Sequence, residues 1–326
     1  MKFGYHRLLV PLLCGASLVS CMPEEEAGGS ASAGDGPRLR VLGSAQDGGI
    51  PHAACRCERC EDARSDPSAA RLVASLALIL PEESATYLID ATPDIRRQLE
   101  RLSDVSAPPA GRVDRDPVDG VFLTHAHLGH YTGLAFFGFE AIHTERLPVY
   151  VTPAMARFLA RNAPWSQLVE IENIVLEEVV PGDGKKVAQG VSVDFVKVPH
   201  RDEYADTVGF LFRGPKRRIL YIPDTEPWEK WDTPPMELFR EVDVLLVDGT
   251  FFSLDELPGR SVDSIGHPLM TTTMDLLQGL VDQGRPTVYF THFNHSNPVL
   301  EKASQERKMV ISRGFHILQE GQDLEF

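Results

Sequence analysis

The sequence predicts an α/β fold in a single large domain, and three observations predict it. The chain has 326 residues, 43% hydrophobic and 24% charged, ample for a large core. Short apolar runs bounded by Gly and Pro alternate with segments of helical spacing. Runs that read as strands end repeatedly in a metal-competent side chain: Asp90, His125, His200, Asp224, Asp248 and His292. In α/β architectures sites gather where strand ends and their loops converge, so six such endings point to one shared site.

The chain opens with a segment outside that fold. Lys2 and Arg7 form a short basic region, and Leu8 to Val19 is apolar but too short to span a bilayer. It ends in Leu18-Val19-Ser20-Cys21, which resembles the bacterial lipobox. That resemblance implies a signal over residues 1–20, lipidation of Cys21, and a protein anchored to a membrane in the bacterial cell envelope without spanning it. Residues 21–37 are polar and Gly/Ser-rich, a tether that would span roughly 20 Å. Residues 38–326 are expected to form the folded domain.

Leu39 to Leu42 reads as the first strand, and the glycines and Pro51 between Gly43 and His52 mark a loop. Cys55, Cys57 and Cys60 follow within six residues. An odd number of such close thiols cannot all pair in disulfides, whereas Cys-x-Cys-x-x-Cys supplies three soft metal ligands and needs a fourth from elsewhere. Leu72 to Leu80 and Thr86 to Ile89 read as a hairpin, and Pro93 to Arg101 as a helix with Thr92 as its cap. Val121 to Leu123 is a buried strand, and Tyr131 to Ile142 is expected to be helical.

Further on, Val149 to Val151 reads as a strand, Pro153 to Arg161 as a helix and Asn162 to Leu168 as a loop carrying Trp165. Strands follow at Val191 to Val198, Thr207 to Phe212, Arg218 to Ile222, Val242 to Val247 and Thr287 to Phe290. Thr271 to Val281 and Glu301 to Lys308 read as helices, and His316 to Phe326 as a closing strand.

The segment Thr124-His-Ala-His-Leu-Gly-His130 carries the clearest chemistry. Alternate residues of an extended segment point the same way, so His125 and His127 can reach one ion, with His130 at the following turn. This segment resembles the His-x-His-x-Asp-His signature of the metallo-β-lactamase superfamily. The run from Gly43 to Cys60 resembles two of its branches: the phosphoribosyl cyclic phosphodiesterase of phosphonate breakdown and the B protein of pyrroloquinoline quinone (PQQ) synthesis.

The resemblance implies an αββα sandwich, two facing mixed β-sheets flanked by helices. It implies a first metal site of His125, His127 and His200, and a second of His130 and His292 with Asp224 bridging. Gly129 stands where the family has Asp, which leaves the second ion to His130, His292 and Asp224. In the phosphodiesterase branch an equivalent of His295 completes a structural zinc with the three cysteines. His267, in Gly266-His-Pro268, would protonate a leaving oxygen or hold an oxyanion. Asp90 and Asp248 are expected to orient ligand imidazoles.

The expected cofactors are therefore one structural zinc and one or two catalytic ions, zinc first, with manganese or iron as alternatives. The expected activity is hydrolysis of a phosphodiester or ester-type small molecule by a metal-activated water. Metal-dependent oxidation of a PQQ-type precursor is the alternative, and a non-catalytic metal- or ligand-binding module the third reading. The net charge of −15 argues against a nucleic-acid backbone as partner. Arg201 to Tyr204, just past His200, is a candidate specificity segment.

Overall fold

The computed structural model describes residue 1 and residues 36–105, 116–232, 235–257, 259 and 265–326. The expected signal, Cys21 and most of the tether lie outside the described residues. Among the described residues no helix is long and apolar enough to cross a membrane.

Two seven-stranded mixed sheets form the body. The first runs in the order β14 (Asp323–Glu325), β1 (Arg38–Gly43), β2 (Ser75–Leu80), β3 (Ala85–Ile89), β4 (Gly120–Phe122), β5 (Leu147–Val151), β6 (Ile174–Glu178). The second runs β13 (His316–Ile317), β12 (Thr287–Thr291), β11 (Val244–Asp248), β10 (Arg218–Ile222), β9 (Thr207–Arg213), β8 (Val191–Val198), β7 (Gly184–Ala188). One core cluster joins their inner faces: Leu39, Val41, Leu78 and Phe122 from the first, Phe195, Phe210, Phe212 and Tyr221 from the second. Phe122 stands edge-on to Phe210 at 5.8 Å, and Phe195 to Phe210 at 5.0 Å, the preferred geometry for aromatic pairs.

Separate apolar clusters fill the outer faces. The first sheet is covered by α2 (Ile95–Glu100), α4 (Pro153–Arg161) and α5 (Trp165–Glu170), through Ile95, Met155, Leu159 and Leu168. The second is covered by α6 (Pro235–Arg240), α7 (Met270–Val281) and α8 (Gln305–Ser312), through Phe239, Met274, Leu277 and Val310. This is the αββα sandwich expected from the sequence.

Chain direction positions the site. In the first sheet β3, β4 and β5 are parallel neighbours, and in the second β10, β11 and β12 are. Parallel strands finish on the same edge, so Asp90, His125, Asp224, Asp248 and His292 emerge together.

Several sequence expectations need correction. The helix expected over Tyr131 to Ile142 is a single turn, α3 (Leu128–Tyr131), followed by a 3₁₀ segment, Thr132–Phe137. Gly133 packs on the loop after β3, its N–H donating to the Ala91 carbonyl at 2.8 Å, and this contact holds the chain out of a continuous helix. The helix expected at Glu301 to Lys308 begins later, because Ser304 caps it by accepting from the Arg307 N–H at 3.0 Å. The expected loop around Trp165 contains α5, and Trp165 packs on Tyr131 at 4.7 Å. The strand expected from Leu72 starts at Ser75, and α2 starts at Ile95, although Thr92 does accept from the Asp94 N–H at 3.0 Å. The single closing strand is two strands, β13 and β14, one in each sheet.

Candidate metal centre

Asp224, one residue past Pro223 at the end of β10, is the hub of the site and is 3% exposed. Its Oδ2 lies 3.4 Å from His125 Nε2, 3.9 Å from His292 Nε2 and 4.0 Å from both His127 Nδ1 and His130 Nε2. Its Oδ1 lies 3.2 Å from His200 Nε2 and 3.2 Å from His267 Nδ1. Six imidazoles thus surround one carboxylate. Burial alone would raise this carboxyl, but His200, His267 and His292 outweigh it and hold it well below the usual range.

His125, His127, His200 and Asp224 place one ligand atom each within 4.8 Å of one another. His125 Nδ1 faces the Thr124 hydroxyl at 3.0 Å, which leaves Nε2 aimed at the centre. Burial and the neighbouring His130 push this imidazole well below its ordinary range, so it is a neutral donor. His127 Nδ1 and His200 Nε2 meet at 3.1 Å, while His127 Nε2 faces Glu203 at 3.0 Å. Two ring nitrogens so close, both directed at one carboxylate, suit a shared cation.

The other imidazoles are steered by two matching devices, one from each sheet. In the first, Asp90 takes His130 Nδ1 at 2.7 Å and also accepts from the Thr124 N–H and hydroxyl. Burial resists charge on His130, but Asp90 and then Asp47 push it up to about 10. In the second, Asp248 takes His267 Nδ1 at 2.8 Å and accepts from the Thr250 hydroxyl at 2.7 Å. That same hydroxyl sits 3.0 Å from His292 Nδ1. Asp90 fixes the outer nitrogen of His130 and so points its Nε2 at the centre, whereas His267 Nδ1 lies between Asp248 and Asp224. Asp90 and His292 both have positive φ, 63° and 61°, uncommon for non-glycine residues.

Asp90→Ala should therefore loosen His130. We expect a roughly 10–100-fold weaker hold on the ion it serves, measured by competition with a metal-sensing dye.

The sequence reading missed Asp47, and it held Glu203 only as part of the candidate specificity segment Arg201 to Tyr204. Asp47, in the loop after β1, puts Oδ1 3.3 Å from His130 Nε2 and 3.8 Å from His292 Nε2. These three form a further group within common ligand reach. Glu203, from the segment after His200, closes on His127. No local pattern marks either one; the only signal for Asp47 was the bare Gly129.

The fit to metal can be tested on the chain itself. Asp47 Oδ1, Asp224 Oδ1, and Nε2 of His125, His130 and His292 are buried without a hydrogen-bond partner. Orphaned buried polar atoms are costly, and these converge on one point. The imidazole and carboxylate donors suit zinc.

The cysteine loop shows a smaller cluster. Cys55, Cys57 and His295 bring ligand atoms within 4.8 Å of one another, and His295 Nδ1 is buried without a partner. The Cys57 N–H points at Cys55 Sγ at 3.4 Å. Cys60, on α1 (Glu58–Ser65), falls outside that common reach, its thiol accepting from the His52 N–H at 3.3 Å. Burial pushes the Cys60 thiol up to about 11, the adjacent Cys57 and Cys55 adding to the effect. His52 lies against His295 with ring centroids 4.6 Å apart.

Comparison with known proteins agrees with this geometry. Residues 85–293, well over half the chain, match the family described as the beta-lactamase superfamily domain. The chain belongs to the metallo-β-lactamase superfamily. Over 304 residues it is 27% identical to coenzyme PQQ synthesis protein B of Methylobacterium sp. (strain 4-46), covering 86% of this chain and 97% of that protein. Among solved structures it resembles Zn(2+)-bound PqqB from Methylobacterium extorquens, with a TM-score of 0.74 and 24% identity over 89% of this chain and 100% of the other. It also resembles a diphosphatase of the PhnP family, with a TM-score of 0.63 and 23% identity over 89% and 97%. These structural likenesses establish the fold.

Proposed function

We propose that this protein is a metal-dependent hydrolase acting on a phosphodiester or ester-type small molecule. One observation carries the reading: donors from both sheets converge on a single bridging carboxylate, Asp224, with an imidazole group on either side. Divalent ions held there would lower the pKa of water and neutralise charge developing on the substrate. Asp224 would hold and orient the attacking water through the oxygen facing His125 and His292. His267, anchored by Asp248 and Asp224, would stand on the leaving-group side and pass a proton to the departing oxygen. Glu203 braces His127, and the Arg201 guanidinium beside it, 3.6 Å from Glu203, is a candidate contact for an anionic substrate. Tyr204, 65% exposed and lying against Phe158 at 5.5 Å, adds an apolar wall to the same rim.

The near full-length likeness to PQQ synthesis protein B favours a second reading, metal-dependent oxidation of a PQQ-type precursor. One ion on three histidines would suit that chemistry. The experiment that separates them is metal identity and count on the full-length chain, followed by activated phosphodiester and ester panels. Zinc-dominated metal and turnover of bis(p-nitrophenyl) phosphate support hydrolysis. Iron at the centre, no turnover, and rescue of a strain lacking PQQ synthesis protein B would replace that reading with the second.

The envelope location belongs to the same proposal. Its support is the sequence alone, in the apolar run ending at Cys21. Radiolabelled palmitate incorporated into the full chain, and absent after Cys21→Ala, would be its signature.

A further inference from the structure

We propose that Asp47 replaces, from a different loop, the carboxylate that the histidine segment lacks, and that Gly129 is what admits it. The inference rests on the metal-dependent reading above and concerns which residue completes the second ion's ligand set.

Two independent observations meet here. The first is position. Asp47 Oδ1 faces His130 Nε2 and His292 Nε2, and all three atoms are buried without a hydrogen-bond partner. A carboxylate oxygen and two imidazole nitrogens on one point are a ligand set, not a packing accident, because nothing else compensates their burial.

The second is space. A Cβ built on Gly129 would lie 2.2 Å from Asp47 Oδ1 and 2.8 Å from both its Cα and its Cγ. The conflict includes backbone, so it cannot be relieved by turning a side chain. Any residue at 129 other than glycine would displace Asp47, and with Asp47 in place only glycine fits. The two positions therefore compete for one volume, and a single carboxylate occupies it.

The loop that carries Asp47 is held accordingly. The Gln46 N–H donates to the Phe293 carbonyl at 2.9 Å, the Phe293 N–H donates to the Ser44 carbonyl at 2.8 Å, and the Asn294 side chain bonds that of Gln46. Asp47 is thus fixed to the same short segment that supplies His292 on one side of Phe293 and His295 beyond it. It needs no flexibility to reach the centre. The relocation keeps the charge and donor count of the second site while changing which stretch of chain provides them.

The test is an exchange of the carboxylate between the two positions, read by metal stoichiometry in inductively coupled plasma mass spectrometry of the full-length chain. Wild type should hold about three ions, two at the Asp224 centre and one at the cysteines. Asp47→Gly should lose one ion, and Gly129→Asp alone should lose one or fail to fold. The double variant Asp47→Gly/Gly129→Asp should regain it. Asp47→Asn, which keeps size and shape, should bind the second ion at least about tenfold more weakly in a zinc titration. Circular dichroism establishes that each variant compared is folded. A folded Asp47→Asn protein with undiminished zinc affinity, or a folded double variant that stays one ion short, would overturn the proposal. His125→Ala separates this from the broader reading. If wild type and His125→Ala hold the same metal, both fall together; if only Asp47 proves irrelevant, the relocation alone is wrong.

Discussion

Asp224→Ala is expected to reduce turnover of an activated phosphodiester by at least about 10³-fold, the largest single effect in the molecule. The reasoning is electrostatic. Asp224 is the one carboxylate within 4.0 Å of six imidazoles, drawn from both sheets. Removing it takes away the carboxylate that faces both groups of imidazoles, and with it the positioning of the attacking water. A bridging metal ligand is worth several kcal/mol in the transition state, and about 4 kcal/mol corresponds to about 10³-fold in rate. Asp224→Asn keeps the shape and removes the charge, so it should resemble Ala in turnover while disturbing the fold less. An Asn variant within tenfold of wild type in kcat/KM would show that Asp224 does not serve the chemistry.

Cys57→Ala should give the second largest effect, and on stability instead of turnover. The stretch from Gly48 to Ser65 buries only Ile50, Cys60 and Ala63 among its apolar side chains, little for a loop and an eight-residue helix. A segment with so small a core depends on another source of order. The Cys55, Cys57 and His295 cluster would supply it by tying the loop to the segment after β12. Loss of that ion should lower stability by about 3 kcal/mol or more, seen as a melting temperature roughly 5 °C lower for a chain of this size. Strong chelator should lower the melting temperature of wild type by more than that of the variant, which has only the ions of the Asp224 centre left to lose. An unchanged melting curve in both would leave the cysteines without a structural ion. Because Asp47 sits at the start of the same loop, the variant should also weaken the second ion at the Asp224 centre.

Much of the centre was legible before any coordinates, for a local reason. Each of the six strand-end residues sits where an apolar run stops, and a period-two run with a polar terminus is visible in a window of a few residues. Asp47 and Glu203 lay beyond that reach because their roles come from chain segments distant in sequence. Asp47 meets His130 across a long stretch of chain, and nothing near Gln46-Asp47-Gly48 distinguishes a ligand from an ordinary turn residue. The overlong helix at Tyr131 failed for a related reason: the contact that breaks it, Gly133 on Ala91 and Thr92, is tertiary. The shape of the fold was carried by patterning, while the weakly patterned strands β6 and β7 and the short α6 went unread. Of these, β7 runs Gly-Lys-Lys-Val-Ala and lacks a strong apolar face.

The two short strands near residue 326 have a consequence for how the molecule is made. β13 borders the second sheet, and β14 lies against β1, pairing Leu39 with Leu324 and Arg38 with Glu325. Strand β1 therefore waits for residues 323–325 before its outer edge is covered. Until then β1 shows unpaired backbone groups beside a wholly apolar neighbour, β2, whose run Leu76 to Leu80 is buried throughout the finished fold. Such a pairing between distant parts of a chain is slow to form. During synthesis the nascent protein carries an open, sticky margin until residues 323–325 pair with it.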